Sequence, residues 1–264
     1  MAIQSLKTTI RSALEKRGVA YAFNDTLAYA IYLRIMYPRE VKARRKQLAF
    51  FQRLIGGSSL VFDIGANNGD KARIFSRIAK RLICLEPNPE SIARLTERFG
   101  GDPRIVIVPQ GVSDSSGVGT ISVYPGDQSA YSSFSPRWIE EHGAPSRRVE
   151  VKLTTLEDLI SRFGRPSYIK IDVEGYELNV LRGLRTPVPL ISFECNLPVF
   201  LSETLECITL LERLSTNCRF NFCASEPAFD FARDGWIDSG EIQAIAASGK
   251  FSFMEIFGRS SASS

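Results

Sequence analysis

Histidine is almost missing from this chain: among 264 residues His142 is the one copy. Any zinc site would therefore lean on cysteine, yet Cys84, Cys195, Cys207, Cys218 and Cys223 contain no C-x-x-C pair, the spacing on which most structural zinc sites depend. No metal ligand set is expected, and the odd, scattered cysteine count suits reduced thiols in a cytosol. Long apolar runs are lacking too. Arg34 interrupts the best candidate, Leu27 to Met36, well short of the roughly 20 residues that cross a bilayer. The first segment carries Lys7, Arg11, Glu15 and Lys16 in a helical pattern and does not resemble a secretory signal. Charge of one sign is absent as well: 33 basic residues face 29 acidic ones, for a net charge of +4. Such a balance implies no uniform field, and nucleic acid is not the expected partner. No internal repeat interrupts the chain. These exclusions predict a cytoplasmic protein without a membrane span.

What remains is a composition 44% hydrophobic, enough for one sizeable core with an appendage. Residues 1–55 read as helices, with Ile3, Leu6, Ile10 and Leu14, then Tyr29, Leu33 and Met36, then Leu48, Phe51, Leu54 and Ile55 at helical spacing. This extension is expected to be a lid, a cover for the sheet edge or the surface through which a homo-oligomer forms. Its basic cluster, Lys42, Arg44, Arg45 and Lys46, reads as a solvated helix face. From Gly56 to Ser264 short apolar strands alternate with helical stretches, the pattern of a parallel sheet with crossover helices. Strands are predicted at Leu60 to Ile64, Leu82 to Leu85, Ile105 to Val108, Thr120 to Tyr124, Tyr168 to Ile171, Leu190 to Phe193, Arg219 to Cys223 and Phe251 to Phe257. Helices are predicted at Asp70 to Lys80, Pro89 to Phe99, Leu156 to Ile160, Glu177 to Leu184 and Thr204 to Leu214. Thr155 and Asp158 have capping-box spacing. Gly126 to Ser146 reads as one long irregular loop, a candidate for substrate contact, and the tail Arg259 to Ser264 as frayed.

The segment Val61-Phe62-Asp63-Ile64-Gly65-Ala66-Asn67-Asn68-Gly69-Asp70 is a buried strand running into a small-residue turn and a helix. Gly65 and Gly69 let backbone approach a nucleotide-like ligand, whose carboxylate would meet N–H groups at the start of the next helix. Roughly 20 residues further on, at the end of the second strand, Glu86 stands at the spacing where an acid accepts hydrogen bonds from ribose hydroxyls. The Pro87-Asn88-Pro89 turn follows it. Asn67 stands where a dinucleotide site would have its second glycine, which counts against NAD. Gln110 to Ser113, at the end of the third strand, would flank the adenine, or form a simple turn.

At this point the sequence resembles the FkbM family of methyltransferases. The resemblance is carried by Asp63-Ile64-Gly65-Ala66-Asn67 with Gly69, Glu86-Pro87, Gly111-Val112-Ser113-Asp114 and Thr155-Leu156-Glu157-Asp158-Leu159. Its most specific block is Ile169-Lys170-Ile171-Asp172-Val173-Glu174-Gly175-Tyr176-Glu177, followed by Val180-Leu181-Arg182-Gly183. It implies a Rossmann-like class I α/β fold with a mostly parallel seven-stranded sheet, S-adenosylmethionine as cofactor, and O-methylation of a sugar, glycan or polyketide-like hydroxyl. On this reading Asp63, Gly65, Ala66, Asn67, Gly69, Glu86, Pro87, Gly111, Val112, Ser113 and Asp172 bind the cofactor.

Asp172 and Glu174 fall at or just past the carboxyl end of a core strand, where open α/β sheets bind ligands. Carboxylates there can orient the donor, take a proton from a hydroxyl or hold a divalent cation. A helix N-terminus also favours such acids without any further role. Glu194 ends the next strand and should face the same crevice, so Asp172, Glu174 and Glu194 are the candidate catalytic residues. In the family a histidine often follows that glutamate; Cys195 and Asn196 follow it here, which weakens a histidine base. His142 is a distant candidate. Rival readings are RNA ribose methylation, a non-catalytic cofactor-binding module, and a nicotinamide-dependent oxidoreductase.

Overall fold

The computed structural model describes residues 34, 36–124, 126–215, 217–225 and 230–260. The helices expected over Ile3 to Leu14 and around Tyr29 and Leu33, and the tail beyond Ser260, lie outside them. The chain forms two compact units, Met1–Lys46 and Gln47–Ser264. In the first, Lys42, Arg44, Arg45 and Lys46 are exposed on a helix, α1, that runs Pro38–Ile55.

The larger unit is built on mostly buried strands: β1 (Leu60–Ile64), β2 (Arg81–Leu85), β3 (Ile105–Val108), then β7 (Tyr168–Ile171) and β8 (Leu190–Asn196). Near-continuous apolar strands of this kind belong to parallel sheets covered on both faces. With β9 (Arg219–Cys223) and β10 (Phe253–Arg259) they form a seven-stranded sheet in the order β3-β2-β1-β7-β8-β10-β9, parallel except that β10 runs antiparallel to both neighbours. Arg259, expected in a frayed tail, is the last residue of β10, and Ser260 N–H bonds the Pro189 carbonyl.

Alternation along β1 sorts the core. Leu60, Phe62 and Ile64 join one cluster, with α5 (Leu156–Phe163), α6 (Glu177–Arg182), α7 (Leu201–Leu214) and α8 (Ser239–Ala246). Val61 joins the other, with the last turns of α1, α2 (Ala72–Phe75) and α3 (Pro89–Phe99). There Phe51 meets Phe75 edge-on at 5.1 Å, and Phe75 meets Tyr168 at 5.6 Å. Such buried aromatic pairs contribute about 0.5–1.5 kcal/mol each beyond area burial.

Between β3 and β7 the chain makes a second, three-stranded sheet from β4 (Gly111–Val112), β5 (Gly117–Val123) and β6 (Arg147–Thr154), in the order β4-β6-β5. Gly126 to Ser146 is not irregular throughout: it holds a 3₁₀ turn, Gly126–Tyr131, and a helix, α4 (Pro136–His142), opened by Ser135, whose Oγ accepts the Trp138 N–H. The helix expected over Asp70 to Lys80 shrinks to the four residues of α2, because its N-terminal residue Lys71 offers no side-chain cap and turns replace the helix after Phe75. The Thr155 cap forms as its spacing predicts, accepting the Asp158 N–H at 3.0 Å. Among the described residues no helix is long and apolar enough to cross a membrane.

Candidate active site

Strand order reverses between β1 and β7: β1 leads to β2 on one side, and β7 to β8 on the other. That switch point opens a crevice at the carboxyl ends of the strands. A cavity of about 290 Å³ occupies it, walled by Gly65, Ala66, Asn67, Glu86 and Pro87, by Gln110 to Val112, and by Asp172, Val173, Glu174 and Glu194.

The turn after β1 must be glycine at position 65. Its φ is +81°, and a Cβ there would lie 1.8 Å from the Asp172 carbonyl oxygen. Only with that close approach does Asp172 N–H bond the Ile64 carbonyl at 3.0 Å. Gly65 and Ala66 both donate to the Leu85 carbonyl, Asn67 to Glu86 and Gly69 to Ala66. These four amides of the turn are thus engaged within the protein. Gly69 serves packing, since a Cβ would come 2.5 Å from the Phe99 ring.

Glu86 is the fulcrum of this end. One carboxylate oxygen accepts the Asn67 N–H and the other the Asn88 N–H, both at 2.8 Å. Asn67 is held thereby in left-handed backbone, φ +44°, unusual for a residue with a side chain. Burial pushes the Glu86 carboxyl up to about 7, against the opposing pull of those two N–H groups. Each oxygen keeps a second lone pair toward the cavity, room for two hydroxyl donors.

At the other end Asp172, Glu174 and Glu194 each bring a carboxylate oxygen within 4.8 Å of the others. Lys170, one turn of the strand deeper and only 3% exposed, places Nζ 2.5 Å from Asp172 Oδ2. Burial opposes the Asp172 charge, but the Lys170 ammonium and a hydrogen bond from Glu194 outweigh it and hold Asp172 below the usual carboxylate range. Burial and the neighbouring Asp172 push Glu194 well up. The two carboxyls are driven in opposite directions, Asp172 toward its charged form and Glu194 toward its neutral one. Glu174 sits at φ +56°, and its carbonyl accepts the Ser133 hydroxyl at 2.7 Å. Ser133, buried, also accepts the Ser135 N–H and pairs with Ser122 of β5. The small sheet is thus tied to the turn that carries the carboxylates.

Residues 126–142 close the cavity from above. Ser129 and Ser132 line it with Phe134, and Ser129 Oγ donates to Asn67 Oδ1 at 3.3 Å while Asn88 donates to Ser132 Oγ at 3.4 Å. Sequence reading placed substrate contact in this segment without naming these residues. The bonds from Ser129 to Asn67 and from Asn88 to Ser132 span 62 and 44 positions, a relation no local pattern encodes.

Of the residues expected at the site, Gly65, Ala66, Asn67, Glu86, Pro87, Gly111, Val112, Asp172, Glu174 and Glu194 meet on one cavity wall or another. Three do not. Gly69 packs against α3; Ser113 lies buried beside Tyr176, its Oγ 3.1 Å from the phenol oxygen. Asp63 sits beneath the cavity in register with Lys170, fully buried, both its oxygens without a hydrogen-bond partner, and burial pushes it up to about 6. His142 is stacked between Tyr131 and Trp138, with ring centroids 4.9 and 3.9 Å away, and is not on the cavity lining.

Against known proteins, the methyltransferase FkbM domain family matches residues 63–220. The hexuronic acid methyltransferase AglP of Haloferax volcanii is 31% identical over 141 residues, 51% of this chain and 53% of that protein. The 2-O-methyltransferase NoeI of Sinorhizobium fredii is 31% identical over 139 residues, 47% of this chain and 56% of that protein. The chain thus spans about half the length of these curated relatives. The crystal structure of methyltransferase FkbM from Methylobacillus flagellatus aligns with 76% of this chain and 43% of its own, at 14% identity and a TM-score of 0.49.

Proposed function

This chain belongs to the FkbM family of methyltransferases, and from that premise we propose that it transfers the methyl group of S-adenosylmethionine to a hydroxyl of a sugar or glycan. One observation carries the reading: a nucleoside-suited end, Gly65 to Asn67 with Glu86, and a carboxylate end, Asp172, Glu174 and Glu194, face the same cavity. The relatives named for hexuronic acid and for 2-O-methylation support a saccharide acceptor. On this reading the reaction belongs to residues 56–264.

The residues present suit the cofactor. Gly65 to Asn67 form one wall of the cavity, Glu86 keeps lone pairs for both ribose hydroxyls, and Gln110 to Val112 offer a wall for the adenine. Bound there, the sulfonium supplies an electrophilic methyl group. The chain's part is to hold that cation beside Asp172 and to set the acceptor oxygen in line with it; positioning of this kind contributes most of the acceleration, up to about 7–11 kcal/mol in well-oriented reactions. The carboxylates receive the hydroxyl proton, and Lys170 keeps Asp172 charged and fixed. The acidic triad also suits a divalent cation held through oxygen, since its ligand atoms lie within 4.8 Å of one another. Loss of turnover in EDTA, restored by Mg²⁺, would select that second reading. The test of the first is transfer of labelled methyl from S-adenosylmethionine to a panel of glycosides, with the product located by mass spectrometry; Asp172→Asn should abolish it, and normal turnover in that variant would refute the assignment.

A further inference from the structure

We infer that Lys71, a residue that no sequence motif singled out, binds the carboxylate on the amino-acid tail of the methyl donor. The inference rests on the methyl-transfer reading and adds to it the side chain that recognises the donor's one anionic group.

S-adenosylmethionine brings two cations, its sulfonium and its ammonium, together with that carboxylate. The acids at the Asp172 end of the cavity suit the cations. An anion entering the same crevice needs hydrogen-bond donors of its own, and the backbone after β1 is largely taken: the amides of Gly65, Ala66, Asn67, Gly69, Arg73 and Ile74 each bond a protein acceptor. The helix that follows, α2, is a single turn of four residues, too short to build much of the aligned dipole that holds an anion at longer helices. A side-chain cation has to supply the rest.

Lys71 meets that need by position. It is the one basic residue among the described lining residues, half-buried and immediately ahead of α2. It enters the cavity from the turn after β1, whereas Asp172 enters from the end of β7, and the two turns meet where Gly65 lies against the Asp172 carbonyl. Burial opposes the charges of Asp63 and Asp172; Lys170 offsets it most, and Lys71 adds to that pull at both. The Lys71 ammonium therefore stands on the Asp172 side of the cavity, toward which the amino-acid tail runs once the ribose is held at Glu86. Arg94 and Arg98, which reach Asn68 on the same lining, are engaged there: Arg94 bonds Asn68 Oδ1 at 3.0 Å, and Arg98 bonds the Asn68 carbonyl and pairs with Asp70. Lys71 and Asp172 thus present opposite charges on either side of one junction, the complement of an α-amino acid. An ammonium with three N–H donors can serve both oxygens of the carboxylate.

The experiment titrates the full chain by calorimetry with S-adenosylmethionine and with decarboxylated S-adenosylmethionine, which keeps both cations and lacks only the carboxylate. Wild type, Lys71→Gln and Lys71→Arg are compared, each with its circular dichroism spectrum recorded. Wild type should bind the decarboxylated donor about ten- to a hundredfold more weakly, the loss of a charge-assisted hydrogen bond. Lys71→Gln should lose the same factor toward S-adenosylmethionine and bind the decarboxylated donor at least as well as wild type does, so that the gap between the two ligands closes; Lys71→Arg should keep the gap. A lysine that only balanced the neighbouring acids would oppose both cationic donors, and its removal would leave the gap in place. Equal affinity of wild type for the two donors overturns the inference whatever the variants do, and so does an undiminished gap in Lys71→Gln, or loss of both donors by that variant with a native spectrum. Failure of wild type to bind either donor defeats the methyl-transfer reading itself and takes the inference with it.

Discussion

Replacing Glu86 by glutamine separates the work of its charge from the work of its shape. In the wild type both oxygens accept backbone N–H groups, from Asn67 and Asn88. Glutamine offers one oxygen, so a buried N–H is left facing an amide NH₂, a loss of about 1–3 kcal/mol. The charge acts in the opposite direction. The carboxyl rises from 4.5 to about 7 on folding, so between those values the native state keeps a proton that the unfolded chain has released. Stability therefore falls as pH climbs through this window and is level above it. At about 1.36 kcal/mol per pH unit the fall amounts to roughly 3 kcal/mol. Asp63, raised to about 6, and Glu177, raised to about 7, tilt both proteins alike and cancel in the difference. Glu86→Gln should accordingly be less stable than wild type by about 1–3 kcal/mol near pH 4.5 and equal to it or better near pH 8. Urea unfolding followed by circular dichroism at pH 4.5, 6.5 and 8 measures this, and a stability difference that does not change with pH would refute the reasoning. The same variant should bind S-adenosylmethionine about ten- to a hundredfold more weakly, the loss of charge-assisted hydrogen bonds to ribose.

Gly65→Ala puts a methyl group 1.8 Å from the Asp172 carbonyl at φ +81°; it should cost more than about 2 kcal/mol in thermal stability and abolish donor binding by calorimetry. Lys170→Met strips the buried cation from Asp172 and should lower unfolding free energy by about 3 kcal/mol at pH 7, with unchanged urea midpoints counting against the ion-pair account. Ser133→Ala removes the bond to the Glu174 carbonyl; kcat on a methylated glycoside should fall while donor affinity stays the same, and Ser133→Thr should restore it. A Ser133→Ala protein with normal kcat would show that Glu174 needs no such support.

The core strands were legible because burial on both faces leaves a short, mostly apolar run, broken only by Asp63 in β1 and Lys170 in β7. Leu60 to Ile64, Ile105 to Val108 and Tyr168 to Ile171 stand where their sequences predict. What escaped was half-exposed or short. In β6 the alternation Arg148-Val149-Glu150-Val151-Lys152-Leu153 carries a strand signal, but its charged face is solvated and resembles a loop. The helix α8 was missed for a different reason: Gly240 stands at its second residue, and its cap, Asp238 accepting the Glu241 N–H, follows a turn-rich stretch. At the site, residue type and strand position were enough to bring Glu86, Asp172, Glu174 and Glu194 together, since strand ends in a parallel sheet share one edge. Asp63, one residue short of the edge, lies buried in register with Lys170 and off the cavity lining. The closing segment, from Ser129 through Ser133, could not be read locally, because its bonds to the site are with Asn67, Asn88 and Glu174.

The measurement that tests the account most directly is a calorimetric titration of the purified chain with S-adenosylmethionine and, separately, with NAD. Saturable one-to-one binding of S-adenosylmethionine, with none of NAD, is the predicted result. Binding of NAD in its place, or of neither ligand, would contradict the assignment of this cavity to a sulfonium methyl donor.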